Sequence, residues 1–216
     1  MASPLSVNRN NYRENPKRSD IYTPPGVASF LYETLRMASP LKRRGGPSAG
    51  GGRCVRNFAT ILDPAIGTGQ LTQPWWDAGH TIIGCDIVSK RAECHKYYHS
   101  RYEDLEKIEW TPGLVVCNAP FNGAAGRKLY PEVFLEHTFK LFGIHQPIVL
   151  FTPMGMRLNQ RRKSSRWRSL RDCGAELTSI ISLPLDIFPG VEFHSEILMF
   201  NLRGVKPHYF LPENAL

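Results

Sequence analysis

The stretch FATILDPAIGTGQL, residues 58–71, decides how the chain folds. Its first half is a short apolar run of the kind that forms a buried strand. Asp63 and Pro64 end that run, and Gly67 and Gly69 follow two residues apart. Two glycines after a strand allow a tight turn and let a ligand come close to the backbone. A helix opening behind them would offer unpaired N–H groups to an anionic or carboxylate-bearing ligand. The string lacks the third glycine of the dinucleotide fingerprint, and no GK[ST] follows to make it a phosphate loop.

Further strands and helices alternate on both sides of this stretch. TPPGVASFLYETLRMA (23–38) reads as a helix with Val27, Phe30, Leu31 and Leu35 on one face. TIIGCDI (81–87) is a compact strand ending in Asp86, an acid placed to accept two hydrogen bonds from ribose hydroxyls. A helix cap is the plain alternative for Asp86. SKRAECHKYYHSRYEDL (89–105) is helical in composition, with room for a brief strand around Tyr102. GLVVC, LYPEVFLEHTFKLFG and QPIVLFTP then read as strand, helix and strand, with Gly143 stopping the helix. Trp75 and Trp76 read as helix-packing residues. LTSIISLP and EILMFNL follow without room for a crossover helix, so an antiparallel pair is expected at one edge. The alternation predicts a three-layer α/β/α sandwich on a mostly parallel, seven-stranded sheet. Residues 1–19 are expected to be a disordered or extended tail, and 20–216 a single domain whose segment 39–57 is a flexible, Gly-rich basic loop.

Composition narrows the function classes. The chain has 216 residues and a formal net charge of +8. No window is apolar enough to span a bilayer, and the N-terminus lacks the apolar core of a secretory signal. Five scattered cysteines, never spaced as CxxC, fit reduced thiols in a cytoplasm and argue against a disulfide framework or a metal site. RLNQRRKSSRWRSLR (157–171) holds seven Lys/Arg and no acid, with Trp167 interleaved. A second basic stretch covers 41–56. A nucleic-acid partner is expected, with Arg157, Arg161, Arg162, Lys163, Arg166 and Arg168 as contacts.

VCNAPFNG (116–123) ends a strand in an amide, a proline and an aromatic ring. A strand-ending turn would look like this, and so would a grip on a flat, amine-bearing molecule. In the company of the other segments, the chain resembles an S-adenosylmethionine-dependent DNA adenine-N6 methyltransferase with the gamma order of motifs. IYTPPGVASFLYE, LDPAIGTGQL, CDI, RYEDL, VCNAPF and the late strands match in order over roughly residues 20–203. The resemblance implies a Rossmann-like class I fold and S-adenosyl-L-methionine as cofactor. It implies a cofactor site made of Tyr22, Thr23, Pro24, Asp63, Pro64, Ala65, Gly67, Gly69, Asp86, Ile87, Asp104 and Asn118, with Tyr102 as a stacking ring. NAPF stands for the family's [DNS]PP[YF]: Asn118 supplies a side-chain oxygen, Ala119 a backbone carbonyl, Pro120 a fixed turn and Phe121 a stacking surface. FPGVEFHSE (188–196) resembles the hairpin that packs an aromatic, Phe188 or Phe193, against a flipped base, while His194 and Glu196 read as structural polar groups.

Ala119 departs from the family's proline and loosens the backbone that presents the carbonyl. Pro120 still biases it toward extended conformations, so reduced or retuned activity is expected. After LMFNLR only GVKPHYFLPENAL remains, too short for a target-recognition domain. Low site specificity, or specificity from a partner subunit, is therefore expected. Three alternatives stay open: the same chemistry on RNA adenine, on a protein glutamine amide, or a methyltransferase-like protein that only binds.

Overall fold

Each central strand places consecutive apolar side chains on opposite faces of the sheet, and each face is covered. In this computed structural model, residues 11–12, 22–40, 58–89, 92–121, 128–158, 161–188 and 191–215 are described. The strands are β1 (Asn11–Tyr12), β2 (Ser39–Pro40), β3 (Thr60–Asp63), β4 (Thr81–Asp86), β5 (Lys96–His99), β6 (Leu114–Cys117), β7 (Ile148–Pro153), β8 (Leu177–Ser182), β9 (Val191–Glu192), β10 (Ser195–Phe200), β11 (Leu202–Arg203) and β12 (His208–Phe210). The helices are α1 (Pro25–Leu35), α2 (Gln73–Asp77), α3 (Tyr130–Phe142) and α4 (Ser165–Asp172).

Ile61, Ile82, Val116, Val149 and Ile197 face one core with Val27, Leu31 and Leu35 of α1 and Trp75 of α2. Their neighbours Leu62, Ile83, Val115, Leu150 and Leu198 face a second core with Phe134 and Leu135 of α3. The three-layer α/β/α sandwich expected from the sequence follows from this alternation. Among the described residues no helix is long and apolar enough to cross a membrane.

The sheet has eight strands in the order β12-β8-β10-β7-β6-β3-β4-β5, one more than the expected seven. β5, β4, β3, β6 and β7 run parallel. β10 is antiparallel to both β7 and β8. The expected antiparallel pair therefore does not form the edge. β12 pairs in parallel with β8 and takes that place, because the residues after Arg203 return to the sheet.

The helix expected over 89–105 is absent among the described residues. KYYH forms β5 in register with β4 instead, since adjacent aromatic residues favour a pleated, half-buried surface. His95 supports the turn into it by accepting the Ile82 N–H on Nδ1 at 3.1 Å. Of the expected tail, Asn11–Tyr12 pairs with β9, and of the expected flexible loop, Ser39–Pro40 pairs with β11. The remainder of the tail and residues 41–57 lie outside the described residues.

One buried charge pair joins β10 to the segment after β7. Glu196, 2% exposed, receives Arg157 Nε at 3.1 Å and Nη2 at 2.8 Å in a two-pronged contact. Glu196 is thus a structural polar group, and Arg157, expected to contact nucleic acid, has Nε and Nη2 engaged by an acid. Removing one partner of such a pair strands a charge in the interior, at a cost of about 3–5 kcal/mol. Arg157→Leu should therefore lower the urea midpoint substantially, and Arg157→Leu with Glu196→Leu should recover most of the deficit. A pure surface role for Arg157 would leave the single variant as stable as the parent.

Candidate active site

Three parallel strands deliver polar residues to one end of the sheet. Asp63 ends β3, Asp86 ends β4, and Asn118 follows directly on β6. In open α/β sheets ligands bind at the carboxyl ends of the strands, and a cleft of about 640 Å³ lies there. It is lined by Tyr22, Thr23, Asp63, Pro64, Ala65, Gly67, Asp86, Ile87, Asn118, Ala119, Pro120 and Phe121 among others. The structure thus brings most of the expected residues into one concavity of ordinary ligand size.

The glycine turn explains how the segments meet. Gly67 has φ +53°, and a Cβ there would come within 3.3 Å of the Tyr22 ring, so the glycine lets the segment before α1 lie over the loop. The Gly67 N–H donates to Asp86 Oδ2 at 2.8 Å, and the Val88 N–H donates to Oδ1 at 3.2 Å. Both oxygens of Asp86 retain capacity for further donors. The expected helix N-terminus does not face the cleft in the simple way the sequence suggested. α2 is only five residues long and starts at Gln73, while the Gly69 N–H is taken by the Ile66 carbonyl.

Asp63 is buried at 1% exposure, with Oδ1 accepting the Ala65 N–H at 3.0 Å. Burial pushes its carboxyl up to about 7; the Ala65 N–H opposes the shift and the nearby Asp86 charge adds to it. Asn118 is fixed from the other side of the cleft. Its Nδ2 donates to Thr23 Oγ1 at 3.1 Å, linking residues 95 apart in sequence. With the nitrogen so engaged, Oδ1 is the group left to accept. Ala119 is buried; burial also holds the neighbouring Cys117 thiol well above its usual value, with the Asp63 charge adding to the shift and the Ala119 backbone opposing it.

Phe121 stands edge-on to Phe193, with ring centroids 4.7 Å apart, and Phe193 stacks on Phe188 at 5.7 Å. Phe188 is buried and packs on Phe151, so it supports the cluster from behind. Phe121 also stands edge-on to Phe188, with centroids 6.1 Å apart, so both Phe188 and the half-buried Phe193 meet it. Asn122 and Gly123 lie outside the described residues.

Several of the expected residues lie outside the cleft lining. Pro24 caps α1 and Gly69 packs toward Ala92; neither lines the cleft. Asp104 also points elsewhere: it is largely exposed and lies 3.8 Å from Arg101 Nε. The 3-10 turn over 102–104 rotates Glu103 toward the cleft instead, where Arg101 holds it at 2.9 and 2.5 Å. Tyr102 touches the cleft but is almost wholly buried. Its ring packs on Phe134 and His137, and its hydroxyl meets Thr138 at 2.9 Å. Tyr130 and Phe134 of α3 also line the wall. Their i, i+4 spacing marked a helix face, but only the fold says which cavity that face meets. Arg166 is engaged as well, with Nε 2.7 Å from Glu132 Oε1. Arg161, Arg162, Lys163 and Arg168 are exposed and far less constrained. Among the described residues no cluster of His, Cys, Asp and Glu could hold a metal ion, and Cys85, Cys94, Cys117 and Cys173 are free thiols.

The same architecture occurs in solved structures. A Listeria monocytogenes protein described as a class I S-adenosylmethionine-dependent methyltransferase superposes with a TM-score of 0.61 at 15% identity, over 94% of this chain and 69% of that one. The modification subunit described for a type I restriction enzyme of Vibrio vulnificus YJ016 gives 0.61 at 15% identity, over 90% and 48%. A chain of a type I restriction-modification system gives 0.61 at 18% identity, over 92% and 46%. The fold is that of the class I methyltransferases. The chain spans a little under half the length of the two restriction-modification proteins. No protein-family model matches the sequence, and no match was found among curated proteins.

The raised carboxyl of Asp63 has a consequence for stability. Between its ordinary value of 3.8 and about 7, the folded chain keeps a proton that the unfolded chain has released. Stability contributed by this group is therefore fully present below about pH 4 and disappears as pH rises through about 7, by up to roughly 4 kcal/mol. Asp63→Asn should remove that slope. Urea midpoints measured for both proteins from acid to neutral pH check it: parallel curves would show that Asp63 is not held protonated.

Proposed function

We propose that the chain transfers the methyl group of S-adenosyl-L-methionine to the exocyclic N6 amine of adenine in DNA. The observation that carries this reading is the Thr23–Asn118 hydrogen bond, which leaves the Asn118 oxygen as an acceptor where the cleft meets Phe121.

The residues present suit the cofactor. Asp86 is a carboxylate at a strand end with lone pairs to spare for ribose hydroxyls. Asp63 is a buried carboxyl whose charged form burial disfavours, so a positively charged ligand would compensate it. Tyr22, Ala65, Gly67 and Ile87 supply the apolar walls and the close backbone. When bound, the cofactor supplies an electrophilic methyl group on a sulfonium sulfur.

The chain's own residues would act on the nucleophile. An exocyclic amine conjugated into a heteroaromatic ring is a poor nucleophile, because its lone pair is delocalised. The Asn118 Oδ1 and the Ala119 carbonyl would each accept one N–H, favouring a lone pair localised on nitrogen. Phe121 would stack on the base, an interaction worth about 1–3 kcal/mol. A paired adenine would have to leave the duplex first, at a cost of a few kcal/mol. Most of the acceleration would then come from holding amine and methyl in line. Arg161, Arg162, Lys163 and Arg168 would hold phosphates without reading sequence. Specificity from a partner subunit fits the likeness to modification subunits, which work within larger systems.

The test is transfer of a labelled methyl group to duplex DNA, single-stranded DNA, RNA and a glutamine-bearing protein mixture offered separately. Incorporation into DNA adenine is expected, with Asn118→Ala lower by about 10²-fold or more, the usual cost of removing one preorganised hydrogen-bonding group. Label in RNA or in a protein glutamine would move the substrate and keep the chemistry. Cofactor binding without transfer to any of these would refute the reading in favour of a protein that only binds.

A further inference from the structure

The basic segment divides into struts and free cations around one exposed ring. Arg157 and Arg166 hold the segment to the body through Glu196 and Glu132. Glu132 also accepts the Leu129 N–H at 2.7 Å, beside Tyr130 of the cleft wall. α4 is therefore fixed to the first turn of α3, next to the cleft, and its Leu170 packs, partly buried, against the core. Ser164 caps it by accepting the Trp167 N–H at 3.4 Å, and the 161–164 turn closes through Ser164 N–H to the Arg161 carbonyl.

Trp167 remains 40% exposed on this helix. Arg161, Arg162 and Lys163 precede it and Arg168 follows it, all four exposed; Arg168 also lies near enough to the Asp172 carboxylate to favour its charged form. An exposed indole flanked by cations, on a helix whose Leu170 already makes its core contact, is not explained by packing. It has the two parts that a single-strand platform needs: a stacking face and flanking positive charge.

We infer that α4 and the turn before it bind an unpaired stretch of nucleic-acid strand, Trp167 stacking on one base while Arg161, Arg162, Lys163 and Arg168 hold the flanking phosphates. Charge complementarity selects the polyanion, and the indole selects unpaired bases over a duplex, whose stacked bases it cannot reach. The inference rests on the proposed nucleic-acid substrate and adds to it a preference for the single strand beside the cleft.

Fluorescence anisotropy of a labelled oligothymidine strand, its duplex with oligoadenosine and an oligouridine strand, all without cofactor, tests this. Single strands should bind more tightly than the duplex, and the comparison of oligothymidine with oligouridine tells DNA from RNA. Trp167→Ala should weaken single-strand binding by about five- to a hundred-fold while sparing the duplex, and Trp167→Phe should retain most of the affinity. Replacing Arg161, Arg162, Lys163 and Arg168 with Gln should make the slope of log affinity against log salt shallower by about 0.7 for each phosphate no longer neutralised. Equal affinity for duplex and single strand, or no effect of Trp167→Ala, overturns the inference. Because no cofactor is present, an inactive enzyme that still shows Trp167-dependent binding would sink the methyl-transfer reading and leave this one standing.

Discussion

A parallel sheet covered on both faces leaves its strands nowhere to change character except at their ends. Ile61, Leu62, Ile82, Ile83, Val115 and Val116 are all buried, so the polar residue that ends each apolar run falls where the chain leaves the sheet. Because β3, β4 and β6 are parallel neighbours, those residues emerge side by side. Asp63, Asp86 and Asn118 come from separate segments, yet one constraint of topology assembles them. The glycine turn, Tyr22 and Thr23 then close over the assembly, since Gly67 lets a ring lie where a Cβ would crowd it.

Much of this was legible in the residues, and the exceptions have physical causes. Buried strands announce themselves as apolar runs, and α1 and α3 by their spacing. The segment 89–105 misled because its charged residues suit a helix, while KYYH gains more by pairing with β4 in an open edge position. β12 could not be foreseen, as three residues carry too little pattern and its partner β8 is remote in sequence. The exchange of Asp104 for Glu103 is a matter of rotation: a 3-10 turn advances side chains by a third of a turn per residue, so neighbouring acids point in different directions. Sequence order ranks such acids only by type.

Alanine at position 119 stands where the resembled tetrapeptide has proline. Proline there would fix φ and carry no N–H. Alanine brings a donor into a buried place, where an unsatisfied N–H is costly. Pro120 restricts alanine toward extended conformations, and alanine keeps its own carbonyl, so the loosening expected at this turn is only partial.

The basic segment shows why a run of like charges cannot be read as one surface. Seven cations within fifteen residues would repel one another if all stood in water on a single face. Two of them instead turn inward to acids, Glu196 and Glu132, that would otherwise be buried charges. Each acid therefore needs its arginine as much as the segment needs its anchor, since a lone interior carboxylate is far costlier than an exposed guanidinium. Once those two are engaged, the remaining cations gain a fixed position relative to the cleft, a property that a mobile basic tail lacks. Burial, rather than residue type, sorts the arginines into those that hold the fold and those left to face a polyanion.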